Sequence, residues 1–135
     1  MYSNILIPVA LDHEDVLPRK IETARHLLAE GGTITLLSVL ESVPGFVSEF
    51  VDMKPENHLT AKVKAKLDEA AGGAENIQTD VQTGKAGVVI ARYAAEKKMD
   101  MIIVGSHSPG LQDYFLGSTA ARVARRAPCS VLIIR

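Results

Sequence analysis

The residues richest in possible chemistry stand in the last third of the chain. They are Gly105-Ser106-His107-Ser108-Pro109-Gly110 and, after Leu111 to Leu116, Gly117-Ser118-Thr119. Two features of this stretch suit a phosphate. Glycines let a backbone approach an anion closely and take up positive φ. A Gly-Ser-Thr turn opening a helix presents free N–H groups and the positive end of the helix dipole, and the Ser118 and Thr119 hydroxyls add donors. The same residues also have a purely structural reading, in which Ser118 caps the helix and the glycines turn the chain. His107 could carry a proton or donate to a phosphate, or it could be the polar surface of a loop. Asp12-His13-Glu14-Asp15 offers carboxylates to a cation, although helix capping and first-turn charge matched to the dipole account for the same acids.

Familiar catalytic motifs do not complete themselves. Gly105 to Gly110 has the spacing of a Walker A start, but Leu111-Gln112 stands where Lys-Ser/Thr belongs, so the charged grip of a P-loop NTPase is missing. No GxGxxG follows the first apolar run. In Gly105–Pro109, His107 takes the nucleophile position of a GxSxG elbow. His13, His26, His58 and His107 form no HExxH cluster, and Cys129 is the sole cysteine. A disulfide within the chain is excluded and a cysteine-built zinc site is not expected. Cys129 reads as a small apolar residue entering a strand. No catalytic or metal-ligating residue is assigned.

These residues need elements to hold them. Ile5–Val9, Met101–Val104 and Val131–Ile134 are unbroken apolar runs of strand length, the pattern of strands buried on both faces of a parallel sheet. Thr33–Leu40 forms a further strand after the Gly31-Gly32 breaker. From Ile77 to Thr83 apolar or threonine positions alternate with Gln78, Asp80 and Gln82, which predicts a strand near a sheet edge. Helical stripes fill the gaps: Leu17, Ile21, Ala24 and Leu28, with Lys20, Glu22 and Arg25 off the stripe; Leu59, Val63, Leu67 and Ala70, with the interleaved lysines and acids solvated; Ala86, Ile90, Tyr93 and Ala94; and Ala120, Val123, Ala124 and Ala127. Glu41–Lys54 has no clear period and reads as a long connection or lid. Strict β-α alternation implies an α/β fold: an open five-stranded parallel sheet with right-handed crossovers and helices on both faces, Ile5–Val9 and Met101–Val104 adjacent at its centre. Ligands of such sheets bind beyond the carboxyl ends of the strands, where the winding reverses.

Composition bounds the function. The 135 residues make one domain's worth of chain, 1–135, able to bury roughly two-thirds of its unfolded surface without disulfide or metal. Apolar residues at 47% and charged residues at 23% exclude disorder as the default. A formal net charge of −1 gives the chain as a whole no electrostatic reason to seek nucleic acid or an anionic membrane. No apolar run approaches the ~18 residues needed to span a bilayer, and the start shows no secretory pattern, so a cytoplasmic protein is expected.

The segments Met1-Tyr2-Ser-Asn-Ile-Leu-Ile-Pro-Val9, Gly84-Lys-Ala-Gly87, Asp100-Met-Ile-Ile-Val-Gly-Ser-His-Ser-Pro-Gly110 and Leu116-Gly-Ser-Thr-Ala120 through Pro128-Cys-Ser-Val-Leu-Ile-Ile-Arg135 resemble the universal stress proteins along the whole chain. ATP-binding members carry a G-x2-G-x9-G-[S/T] pattern. Here Ser108 replaces the second glycine, and the loop is one residue short, as in one bacterial branch also associated with nucleotides. Where the family usually has an Asp that contacts adenine, this chain has Ala10, the nearest acid being Asp12. The resemblance implies strand order 3-2-1-4-5 and a Rossmann-like fold. It implies an adenosine pocket lined by Ala10 and by the Val39 backbone, with Pro8, Val9, Asp12 and Val104 beside it. Gly105, Ser106, His107 and Gly110 would wrap ribose and phosphates, and Gly117, Ser118 and Thr119 would hold the phosphates. It also implies a homodimer through the last strand and a stress-response regulator that binds ATP or another adenine nucleotide, with or without Mg²⁺.

A fast hydrolase is not expected, because no residue pair stands as base and water-positioner and the P-loop lysine is missing. Slow hydrolysis or autophosphorylation is compatible with the residues. Two alternatives stay open. A dimeric interaction module for a protein or small apolar ligand is favoured by Ala10 and Ser108. An enzyme on a phosphorylated or adenylated small molecule is supported by fold analogy alone.

Overall fold

The computed structural model describes residues 2–10, 16–41, 53–106 and 117–135, with backbone only at 53–58. Strands and helices alternate: β1 (Tyr2–Pro8), α1 (Leu17–Leu27), β2 (Leu28–Leu40), α2 (Met53–Ala71), β3 (Ile77–Thr83), α3 (Ala86–Glu96), β4 (Met101–Gly105), α4 (Ser118–Arg126) and β5 (Ser130–Ile134). All neighbours pair in parallel, in the order β3-β2-β1-β4-β5. The chain winds outward from β1 to β3, then returns across the sheet to β4 and β5. The reversal therefore falls between β1 and β4, where Ile5 pairs with Met101 and Leu6 with Ile102.

Unbroken apolar runs at the centre follow from cover on both faces. Ile5, Leu6, Ile7, Ile102 and Ile103 are all 0% exposed. Successive side chains point to opposite faces. Ile5, Ile7, Met101 and Ile103 join Leu17, Ile21, Ala24, Val63 and Leu67 in one layer under α1 and α2. Leu6, Ile102 and Val104 join Ile90, Tyr93, Ala94, Ala120 and Val123 in the other, under α3 and α4. The second layer packs closely: a Cβ on Gly87 of α3 would lie 2.8 Å from Arg122 Cβ of α4.

Several sequence expectations are corrected. Leu28 ends no helix; it opens β2, and Gly31-Gly32 lie inside that strand rather than before it. Between the pairs Tyr2–Leu28 and Asn4–Thr33 the register slips. Gly31 takes φ +79 in this bulge, with nothing within 4 Å of where a Cβ would sit. On α2 the stripe turns to Val63, Leu67 and Ala71, while Ala70 is exposed and Leu59 is 50% exposed. Ala124 is exposed on α4. Lys20, read as off the stripe of α1, is only 6% exposed. Met53 and Lys54 belong to α2, and the rest of the expected connection after Glu41 lies outside the described residues. As the alternating pattern suggested, β3 is an edge strand; the other edge is β5.

Candidate functional site

Nine residues singled out in the sequence line one cavity of about 290 Å³: Pro8, Val9, Ala10, Val39, Val104, Gly105, Gly117, Ser118 and Thr119. It opens at the carboxyl ends of β1, β2 and β4, on the reversal point. Its volume sits near the lower end of the roughly 300–1,000 Å³ usual for small-molecule sites. Asp12, His107 and Gly110 lie outside the described residues. Ser106 is not among the lining residues, and its N–H donates to Ile134 O at 3.0 Å, continuing the sheet.

Hydrogen bonds fix the β1 side of the cavity. Val9 N–H donates to Leu37 O at 2.7 Å, and the buried Ser38 hydroxyl donates to Val9 O at 2.8 Å. These bonds carry the end of β1 alongside β2, which places Val9, Ala10 and Val39 on one wall. The floor is apolar, with Leu37, Val104, Ile90 and Ala120. At the end of β2, Gly84 N–H donates to Leu40 O at 2.8 Å, and Glu41 Oε1 accepts from Ala86 N at 3.5 Å at the start of α3.

The opposite wall is the first turn of α4. Its N-cap is Gly117, with φ −61 and ψ 157, and no side-chain cap bond is present. Ser118 is therefore the first helical residue and does not cap the helix. Gly117 also needs no glycine-only conformation, so the positive φ that a glycine permits is not used at this position. What remains is the closeness of approach that a missing side chain allows. The first N–H groups of a helix have no intrahelical partners, and here they face a concave, partly apolar space.

The sequence reading missed Lys20. It lines the same cavity, and its Nζ donates to Pro8 O at 3.5 Å. Its signal was present: Lys20 stands at i+3 from Leu17 and beside Ile21, inside the helical stripe. The apolar lining residues Val16, Leu37, Ala86, Ile90 and Ala120 were also not foreseen as part of the site.

Three groups with displaced titration stand outside the crevice. Burial, then its hydrogen bond to Asp80 Oδ2 at 2.9 Å, pushes the Tyr93 phenol far above the ordinary tyrosine range. Burial, then the charge of Asp100, raises the Cys129 thiol. Bonds from Thr79 and Lys64 lower the exposed Asp68 carboxyl. Among the described residues no group of three or more His, Cys, Asp or Glu could hold a metal ion, and no helix is long and apolar enough to cross a membrane.

The architecture has known counterparts. A hypothetical protein solved to assign its biochemical function superposes with TM-score 0.82 at 23% identity, covering 99% of this chain and 96% of that one. A universal stress protein solved in complex with cAMP superposes with TM-score 0.65 at 22% identity, covering 99% and 97%. These likenesses show the fold. Universal stress protein G of Salmonella typhimurium is 30% identical over 145 residues, covering 100% of both chains. The Universal stress protein family model matches residues 1–135. With the family model matching the whole chain and a relative 30% identical across its whole length, the chain belongs to the universal stress protein family.

Proposed function

We propose that the crevice binds an adenine nucleotide, ATP or a relative of it, and that the protein is a regulator of the stress response rather than a fast enzyme. The observation that carries this reading is the placement of the uncapped, glycine-led start of α4 in one cavity with the carboxyl ends of β1 and β4. That end of the helix favours phosphate through its N–H groups and its dipole. The apolar wall of Val9, Ala10 and Val39 suits a flat base, and Gly105 leaves room for ribose between them. The related fold solved with cAMP supports an adenine nucleotide as the ligand class. A Mg²⁺ ion would arrive on the nucleotide's phosphates.

The proposed assembly is a homodimer through β5. That strand pairs only with β4 among the described residues and leaves Val131, Leu132 and Ile133 partly exposed at the sheet edge. Such an edge is a template for a second strand. Light scattering should give twice the 14.5 kDa chain mass.

Acid extraction of freshly purified protein, followed by chromatography of the released small molecules, tests the ligand. An adenine nucleotide in the extract, and calorimetric binding of added ATP to the stripped protein, are expected. No released nucleotide together with no binding at millimolar ATP would end this reading and leave the dimeric interaction module in its place.

A further inference from the structure

The net charge of −1 is a sum over the whole chain, and the outer face of α3 and α4 departs from it. Helix α4 carries Arg122, Arg125 and Arg126 and no acid. Positions three and four apart share one side of a helix. The three guanidinium groups therefore stand together, away from the buried Ala120 and Val123. Helix α3 adds Arg92, with Lys97 and Lys98 just past its end, and its one acid is Glu96. All six basic side chains are exposed. The two helices meet where a Cβ on Gly87 would lie 2.8 Å from Arg122 Cβ, so their outer sides form one surface. None of the six lines the crevice, and among the described residues none is in an ion pair.

The other helical layer handles its charge differently. On α2, Lys62, Lys64 and Lys66 share the helix with Asp68 and Glu69, and Lys64 pairs with Asp68 at 3.1 Å. The helix dipole favours bases in a last turn, which accounts for Arg125 and Arg126. It does not account for Arg92 or Arg122, which stand mid-helix.

What this face lacks narrows the partner. It presents no large apolar side chain; among the described residues Leu59, on α2, is the exposed one. A protein interface is centred on buried apolar or aromatic anchors. A helix lying on a membrane needs an apolar side to bury at the acyl boundary. Single strands need aromatic platforms, and Tyr93, the aromatic residue of α3, is buried. The backbone of a duplex needs none of these. Exposed cations alone hold it, whatever its sequence, and the guanidinium fork matches phosphate oxygens. We infer that the outer face of α3 and α4 binds duplex nucleic acid through its phosphates, without reading the bases. The crevice and its ligand play no part in this contact.

Fluorescence anisotropy of the full chain with a labelled DNA duplex about two helical turns long, read across a salt series, tests this. Wild type should bind at low salt. It should weaken about a hundred- to a thousandfold between about 50 and 200 mM, the scale of about four to six phosphate contacts. The slope of log affinity against log salt should fall by about two in Arg125→Gln/Arg126→Gln and by about one in Arg92→Gln. Lys62→Gln/Lys66→Gln removes the same charge from exposed positions of α2 and should leave the slope unchanged. Should the α4 pair melt early, the wild-type slope and Arg92→Gln carry the same test. No binding at about 50 mM salt would overturn the proposal. So would equal losses of slope in the α2 and α4 pairs, which would make net charge the whole cause. Tighter binding to phosphatidylserine vesicles or to polyglutamate than to the duplex would also overturn it, giving the face to a membrane or to an acidic protein segment.

Discussion

At the amino end of the sheet the chain satisfies its own polar groups. The Asp100 carboxylate accepts the Ser3 N–H at 2.9 Å and the Asn4 N–H at 3.0 Å, while Asn4 O accepts the Asp100 N–H at 2.9 Å. Helix α1 ends there with Arg25 and His26 in its last turn, matched to the negative end of its dipole. At the carboxyl end, α4 begins with no side-chain cap, and a lysine is drawn inward. A hollow at the amino end, about 450 Å³ around Arg25, Glu30, Gly31, Gly32, Glu75 and Asn76, is larger than the crevice at about 290 Å³. Volume does not decide which end binds. In a parallel sheet with crossover helices, every helix turns its N-terminus toward the carboxyl ends of the strands. The N–H groups left without chain partners, and the positive dipole ends, therefore collect on that side.

Four substitutions test this contrast. The largest effect is expected at Gly117, where a Val side chain would stand between the first turn of α4 and the anion. Gly117→Val should abolish nucleotide binding at millimolar ATP. Its melting point should fall little, since φ −61 suits any residue. Calorimetry with normal ATP affinity in a folded Gly117→Val protein would remove the phosphate from this end of the helix.

Next in size is Asp100→Ala at the other end. Losing the acceptor for two backbone N–H groups should cost about 2 kcal/mol in a urea titration, at the modest end for bonds to a charged group because the site is partly solvated. ATP affinity of the folded protein should be unchanged. A loss of affinity with no loss of stability would reverse the roles given to the two ends.

Gly31→Ala probes the amino-end hollow more gently. Nothing stands near the new β-carbon, but φ +79 is strained for it, at about 1–2 kcal/mol. Thermal unfolding should register that cost and calorimetry should register nothing. A Gly31→Ala protein with weakened ATP binding would assign the larger hollow a share in the site.

The smallest change is expected from Ser118→Ala. The hydroxyl is exposed and caps nothing, so stability should hold. ATP should weaken by about 1 kcal/mol, one net hydrogen bond, and AMP by less if the hydroxyl meets the outer phosphates. An unchanged ATP affinity would confine the grip of this turn on the anion to its backbone N–H groups.

How far the site was legible depends on the kind of signal. Ile5–Val9 and Met101–Val104 were readable because strands covered on both faces have no position for a polar residue. The Gly117-Ser118-Thr119 turn was readable because helix starts have a local chemistry. The end of α1 was not, since Leu27-Leu28 are apolar enough to continue a helix or open a strand, and the glycines that mark a break became a bulge within β2. The phase of α2 slipped by one residue because Ala70 and Ala71 are equivalent to any periodic pattern. Lys20 was discounted for its charge although its spacing placed it on the buried stripe.

Periodicity and element alternation sufficed for a parallel sheet with two helical layers, because those signals are written within single elements. Strand order was not contained in any one run and came through family resemblance. The convergence of Lys20, Gly105 and the start of α4 on one cavity required the folded chain. The rotation of α1 about its axis is set by how Leu17, Ile21 and Ala24 pack onto the sheet, and that packing aims the fourth residue of the helix into the crevice. The first turn of α4, which lines the same cavity, stands nearly a hundred residues later in the chain and reaches it only through the return crossing from β1 to β4. Contacts between elements so distant in sequence depend on the sum of all the packing between them, and no local pattern records that sum.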